Sequence, residues 1–339
     1  MNGEKMYTNE DLNQAVNEGI FTQDSIEEFR DYIAEAKNIT VVDEENFKLL
    51  SGFNDIFVVI ASILLLSSAG WIASSISSIL SALVVALLSW GLSEFFVLKR
   101  KMALPAIVLL LAFAGAVFGF MHEIFDLINT TAGGVEIVVA SAFTAFAIFL
   151  HWKRFSVPIT VAIGMGTVAL FFISLFMESF PQLKEYLSFI IFTFGIAIFI
   201  IAMRWDMKDR RRVSNSSDVA FWLHLLASPL IIHSLFLGLG VFDNQISMLA
   251  ILLIIFSYIV LSSISLLIDR RALMVSSLLY VLYALNSLFT KYGLESYGLA
   301  IGGVIIGVGL LLLTAFWTKA RAKIVTIMPH TIQLKVPTI

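Results

Sequence analysis

His224 and His233 share one apolar stretch, with Ser228 and Pro229 between them. In a helix, nine residues turn the chain through about 900°, so the two imidazoles face opposite sides, roughly 13 Å apart along the axis. They cannot hold one metal ion together. A buried imidazole can instead take up or hand on a proton, or bond a carbonyl or hydroxyl of a neighbouring helix and so fix the packing. The packing role is the simpler of the two. Pro229 cannot donate to the carbonyl of Leu225, which predicts a kink in the helix. A freed carbonyl beside His224 and near Ser228 would make a polar pocket in a dry helix.

Other residues could add to this site. A charge at the centre of a membrane helix costs about 2.5–3.5 kcal/mol on insertion scales, so each ionisable group there asks for a reason. Glu94 lies about a turn and a half before Lys99, within reach of the interface or of a base there. Asn286, with Tyr280 and Tyr283, would neighbour the His224 helix if the later hairpins pack as repeats. The intramembrane polar site expected from sequence is therefore His224, Ser228, Pro229, Glu94 and Asn286. Lys208, Arg210, Arg211 and Arg212 form a basic loop expected to face anionic lipid, each base adding about 1 kcal/mol of attraction. No catalytic signature is present: there is no His-Glu-x-x-His, Gly-x-Ser-x-Gly, phosphate loop or dinucleotide fingerprint. No catalytic, metal or cofactor residue is assigned, and the chain has no Cys.

The elements that must position these groups are apolar runs of membrane-spanning length. From Phe53 onward ten succeed one another, at about 55–73, 76–98, 103–121, 134–151, 157–177, 186–204, 218–238, 246–268, 272–290 and 296–317. The composition agrees, at 59% hydrophobic, 14% charged and with 29 Phe. Alternate loops carry Lys99 to Lys101, Lys153-Arg154, Arg204 to Arg212, Arg270-Arg271 and Lys319, Arg321 and Lys323. With Lys335 these make sixteen bases on one side; the other side has only Lys184 and Lys291. Sixteen against two puts both termini in the cytoplasm and supports an even number of spans.

The basic turns are separated by hairpins of two spans. His233-Ser-Leu-Phe236 parallels Asn286-Ser-Leu-Phe289, 53 residues on, which favours duplication of a hairpin unit. Gly115-x-x-x-Gly119, Gly298-x-x-x-Gly302 and Gly303-x-x-x-Gly307 allow close helix packing, expected within the monomer.

Before the first span the character reverses. Residues 1–55 hold thirteen acids and four bases, a net of −9; the rest holds twelve acids and eighteen bases, a net of +6. The N-terminus lacks the basic start and short apolar run of a cleavable signal peptide. Residues 8–37 read as two short amphipathic helices, closed and reopened around Gly19 and Thr22, with Ser25-x-x-Glu28 as a capping box. So small a pair must dock on something. The expected organisation is all-α: an acidic cytoplasmic helical module at 1–50, a ten-helix transmembrane bundle of hairpin-like units at 51–320, and a cytoplasmic tail at 321–339. The bases lie in short loops and not on one folded face, so nucleic acid is not an expected partner.

Gly19-Ile-Phe-Thr22 followed by Glu27-Glu-Phe29 resembles the short helical modules at the ends of many bacterial membrane proteins. Ser51-Gly-Phe-Asn-Asp-Ile-Phe-Val58 and Asp218-Val-Ala-Phe-Trp-Leu-His-Leu225 resemble conserved hypothetical polytopic inner-membrane proteins of proteobacteria. The resemblance implies a bacterial inner-membrane location and adds no substrate. A transporter or channel for a small or amphipathic solute is one expectation. The other is a scaffold or sensor whose residues 1–50 recruit a cytoplasmic protein.

Overall fold

The computed structural model describes residues 9–26, 28–29, 53–128, 134–210, 212, 214–240, 247–291 and 297–337. Arg211 lies outside them. The chain divides into two compact units, Met1–Asn46 and Phe47–Ile339. All regular structure among the described residues is helical.

In the first unit, α1 spans Asn9–Asn17. Gly19, at φ 71°, ends it in a left-handed turn: the Gly19 amide donates to Val16 O and the Ile20 amide to Ala15 O, both at 2.9 Å. This double bond pattern satisfies the last carbonyls of the helix, and Gly bears the positive φ without a Cβ penalty. The next helix begins after Thr22, as expected, and its capping pair is Thr22 with Ser25. Thr22 Oγ1 accepts from the Ser25 amide at 3.2 Å, and Ser25 Oγ accepts from the Thr22 amide at 3.0 Å.

The second unit is a polytopic helical bundle. Its helices are α2 (Phe53–Ser74), α3 (Ser78–Ser93, extended by a π-helical turn over Glu94–Lys99), α4 (Ala103–Ile128), α5 (Val135–Phe155) and α6 (Pro158–Ser179). A 3₁₀ turn, Pro181–Tyr186, then leads into α7 (Leu187–Lys208), followed by α8 (Asn215–Gly238), α9 (Met248–Ile268) and α10 (Ala272–Lys291). The series ends with α11 (Gly298–Ala315), α12 (Trp317–Ile327) and α13 (His330–Gln333). Nine helices among the described residues are long and apolar enough to cross a membrane. A tenth candidate is the bent pair of α11 and α12, with 76° between them. Residues 321–337 belong to this unit, with Arg321, Val325 and Val336 all buried.

The hairpin pattern is written in the backbone. Lys101, Ser156, Arg212 and Asp269 all have φ between 51° and 56°, and they sit in the turns α3–α4, α5–α6, α7–α8 and α9–α10. Their spacings, taken from those positions, are 55, 56 and 57 residues. Left-handed backbone costs a non-glycine residue roughly 1–2 kcal/mol, so its return at one place in each of four hairpins marks a repeated turn.

At the centre is α8. Over half of its membrane window, 56%, is buried, against 39% or less for the other spans. Leu223, Ala227, Ile232 and Phe236 of α8 lie in the largest apolar cluster, with Ile198 and Ala202 of α7 and Val281 and Ala284 of α10. The approach of α7 to α8 is close: a Cβ on Gly195 would stand 2.9 Å from Ile231 Cγ1 and 3.0 Å from the Ile231 amide nitrogen. α8 is one helix through Pro229, which sits exposed on its surface.

Candidate functional site

Charged and polar side chains from three elements meet beside the N-terminal half of α8. Asp206 comes from the last turn of α7, and Ser217 and His224 from α8. Arg270 comes from the α9–α10 turn. Residues 217, 224 and 228 fall on one face of α8 by helical geometry, and all three are buried, as are Asp206 and Arg270. Asp206 is shared. Its Oδ1 accepts from Arg270 Nη2 at 2.7 Å and its Oδ2 stands 2.8 Å from His224 Nε2. Arg270 Nη2 also donates to Ser217 O at 3.0 Å and to Ser217 Oγ at 3.1 Å. An ionised Asp206 makes Nε2 the donating nitrogen of His224. The other nitrogen, Nδ1, is buried with no hydrogen-bond partner, and the ring packs edge-on against Phe199.

The neighbouring residue of the same turn builds a second network. Asp269 Oδ2 accepts from Arg212 Nη1 at 2.9 Å, and Oδ1 accepts from Trp317 Nε1 at 2.7 Å. Arg212 Nη2 donates to the carbonyls of Ile268 and Asp269 at 3.1 and 2.8 Å. Arg321 Nε lies 3.6 Å from Asp269 Oδ1, and its Nη2 donates to Pro337 O at 2.7 Å. Asp209 Oδ2 accepts from both the amide and the hydroxyl of Ser214 at 2.7 Å, which folds the loop ahead of α8. Burial, then the nearby Arg270 charge, hold Arg212 down to about 10, so it stays charged at neutral pH. The left-handed turn at Asp269 thus places two successive side chains in two different ion clusters.

The expected site is divided. Ser228 stays with His224, donating to its carbonyl at 2.7 Å. At Pro229 the helix continues, and Ser228 turns back onto the preceding turn. Glu94 is elsewhere, in a bidentate pair with Arg154 Nε and Nη2 at 2.8 and 2.7 Å. Asn286 packs where α11 begins, its Oδ1 only 2.7 Å from where a Gly298 Cβ would stand. Tyr280 is the α10 residue that reaches α8, with its hydroxyl 2.5 Å from His233 Nδ1 and its ring stacked on Phe236.

The basic loop is also corrected. Arg212 is buried on Asp269, not turned to lipid, and Arg210 donates to Val336 O and Gln333 O at 2.9 and 3.1 Å. Lys208 is exposed and stands over the Trp205 ring.

Sequence reasoning missed Asp206, Arg270, Asp269 and Trp317, and also His151. That imidazole is buried against Trp90, Phe113 and Phe155, with ring centroids 5.7, 5.5 and 4.4 Å away, and both its nitrogens lack hydrogen-bond partners. Its signal was the one that singled out His224: an imidazole within an apolar helix.

Among the described residues, cavities open between helices. One of about 530 Å³ is lined by Leu66, Gly70, Ser81 and Val85 of α2 and α3 and by Val108 of α4; another, of about 440 Å³, lies among α9, α10 and α11. Neither His224 nor Glu94 lines them. Among the described residues no group of three His, Asp or Glu side chains is placed to hold a metal ion. No protein family, no curated protein and no solved structure matches the chain.

Proposed function

We propose that this integral membrane protein is a transporter or channel of the bacterial inner membrane for a small or amphipathic solute, and that Asp206, His224 and Arg270 form its proton-responsive gate. The observation that carries the reading is the unpartnered Nδ1 of His224. Arg270 already balances the Asp206 charge and is itself held by Ser217, so a purely structural pair has no need of a titratable ring. A buried nitrogen without a partner costs about 1–3 kcal/mol. Gain or loss of a proton at His224 changes the load on the carboxylate it shares with Arg270, and with it the hold of the α9–α10 turn on α7 and α8. Buried ionisable groups in membrane bundles mark such pathways. Burial of His224 at 1% exposure fits a closed gate, and the excess of bases in alternate turns supports placing those turns on the cytoplasmic side.

The native chain has no Cys, so one introduced thiol reports alone. Ser228→Cys, probed in membrane vesicles with an impermeant maleimide, is read as a ratio to an exposed control, Ser75→Cys, which carries the ordinary fall in thiolate at low pH. That ratio is expected to be higher at pH 5.5 than at pH 8. Silence of the Ser228→Cys thiol at every pH, with the control labelled, overturns the reading.

A second reading is a scaffold or sensor that recruits a cytoplasmic protein through residues 1–50. It is favoured by Ile20, Phe21 and Phe29 of the first unit, which are 68%, 48% and 51% exposed. Deletion of residues 1–46 should abolish partner capture on this reading and leave the Ser228→Cys response intact.

A further inference from the structure

We propose that residues 329–337 are a latch: docked, they hold the turn between α7 and α8 in place, and undocked they release it through Arg321. Their bonding sets them apart from the helices before them. α13 is four residues long, too short to be stable alone. The amides of residues 332–335 donate to carbonyls within the segment, between Pro329 and Ile332. Pro329, His330, Leu334 and Lys335 are exposed, whereas Val336 and Pro337 are buried. Among the described residues, three hydrogen bonds join the segment to the rest of the bundle. Arg210 Nε donates to Val336 O at 2.9 Å, Arg210 Nη2 to Gln333 O at 3.1 Å, and Arg321 Nη2 to Pro337 O at 2.7 Å. A segment held by two arginines and a buried Val-Pro end belongs to the low-stability part of a fold, which opens before the whole unfolds.

The clasping arginines lead directly to the ion clusters. Arg210 belongs to the α7–α8 turn and Arg321 to α12. Arg321 is divided between two acceptors. Its Nη2 is on Pro337 O, while its Nε lies 3.6 Å from Asp269 Oδ1, an ion-pair distance longer than a hydrogen bond. The other oxygen of Asp269 holds Arg212, also of the α7–α8 turn. Arg321 is 5% exposed, so undocking of Pro337 strands a buried donor, and such a group takes whatever acceptor is near. Asp269 is already beside it. Closure of Arg321 on Asp269 sets a second guanidinium against Arg212, and like charges at one carboxylate weaken the hold of Arg212 on it. Loss of the Arg210 contacts loosens the same turn. Asp206 stands four residues before Arg210, so the step from this turn to His224 rests on the gate reading, whereas the latch itself does not.

The absence of Cys again isolates one thiol. Val336→Cys places it in the latch and Val325→Cys in α12, at residues 2% and 4% exposed. In the detergent-solubilised native protein the Val336→Cys thiol is expected to react with a maleimide about tenfold faster, as local opening requires. Equal rates overturn the latch, because residue 336 then opens only with α12. Release is read by hydrogen exchange at the Arg212 and Ser214 amides, which donate to Asp209 O at 3.1 Å and to Asp209 Oδ2 at 2.7 Å. In a chain ending at Met328, exchange there should rise by a similar factor. A peptide of residues 329–337 at about millimolar, the effective concentration of a short tether, should reverse the rise. Adding Arg321→Gln to the shortened chain should return exchange toward the wild-type rate, since nothing then displaces Arg212 from Asp269. A segment that merely covers the turn gives the same rise with and without Arg321→Gln, and that result overturns the mechanism. Should the shortened chain fail to fold, Val336→Asp undocks the segment in the full chain and allows the same comparison. The expected exchange results together with a silent Ser228→Cys thiol support the latch and overturn the gate alone.

Discussion

Asp206 and Arg270 stand 64 residues apart in the chain and 2.7 Å apart in space, with their side chains 1% and 3% exposed. Glu94 and Arg154 make the same kind of contact at the same distance with 36% and 55% exposure. Equal geometry gives unequal consequences. Removing one partner of a buried pair strands a charge in a dry interior, which costs about 3–5 kcal/mol. The exposed pair keeps water as an alternative partner. Asp206→Asn should therefore lower stability by about that amount in denaturant titration of the detergent-solubilised protein, whereas Glu94→Gln should leave the unfolding midpoint nearly unchanged.

His224 is bonded to the same carboxylate without being its counter-charge. His224→Ala should accordingly cost less than Asp206→Asn, since Arg270 still compensates Asp206. A double-mutant cycle between the two positions should give a coupling energy of about 1.5–3 kcal/mol, the range for a hydrogen bond to a charged group. A coupling near zero would mean that the 2.8 Å contact contributes nothing to the fold.

Glycines that look alike in sequence should part company on substitution. Gly195→Ala drives a methyl against the backbone of Ile231 and should destabilise by about 1–3 kcal/mol, as overpacking does. Gly115 and Gly119 have nothing within 4 Å of an added Cβ. Alanine at either should be neutral, or stabilising by up to about 1 kcal/mol through helix propensity. Thermal unfolding of the three single variants distinguishes them.

Ser156 is exposed and left-handed, at φ 51°. Ser156→Gly relieves that conformation but loosens the unfolded chain, so a net gain of about 0.5–1 kcal/mol is expected. The same denaturant titration reads it.

What the sequence disclosed follows from what is local. Apolar length located the spans, and alternation of basic turns located the hairpins that Lys101, Ser156, Arg212 and Asp269 now mark in the backbone. His224 stood out because an imidazole in an apolar run is conspicuous by itself. Asp206, Asp269 and Arg270 did not, because each sits among loop charges that the positive-inside pattern already explains. Whether a loop charge faces water or turns inward depends on which other turn it meets, and contacts across 57 or 64 residues leave no periodicity to read. The glycine motifs show the same limit. Gly298-x-x-x-Gly302 does meet α10, at Asn286 and Leu282, whereas Gly303 and Gly307 of the same helix have nothing within 4 Å of an added Cβ.

The unequal sequence separations of the Asp206 contacts also impose an order on biogenesis. His224 follows Asp206 by 18 residues and Arg270 follows it by 64. Once His224 is made, the nascent α7–α8 hairpin waits for 46 more residues (64 − 18), about 2–9 s at roughly 5–20 residues per second of synthesis, for the arginine that will neutralise it. During that interval the imidazole is the aspartate's only companion from this triad.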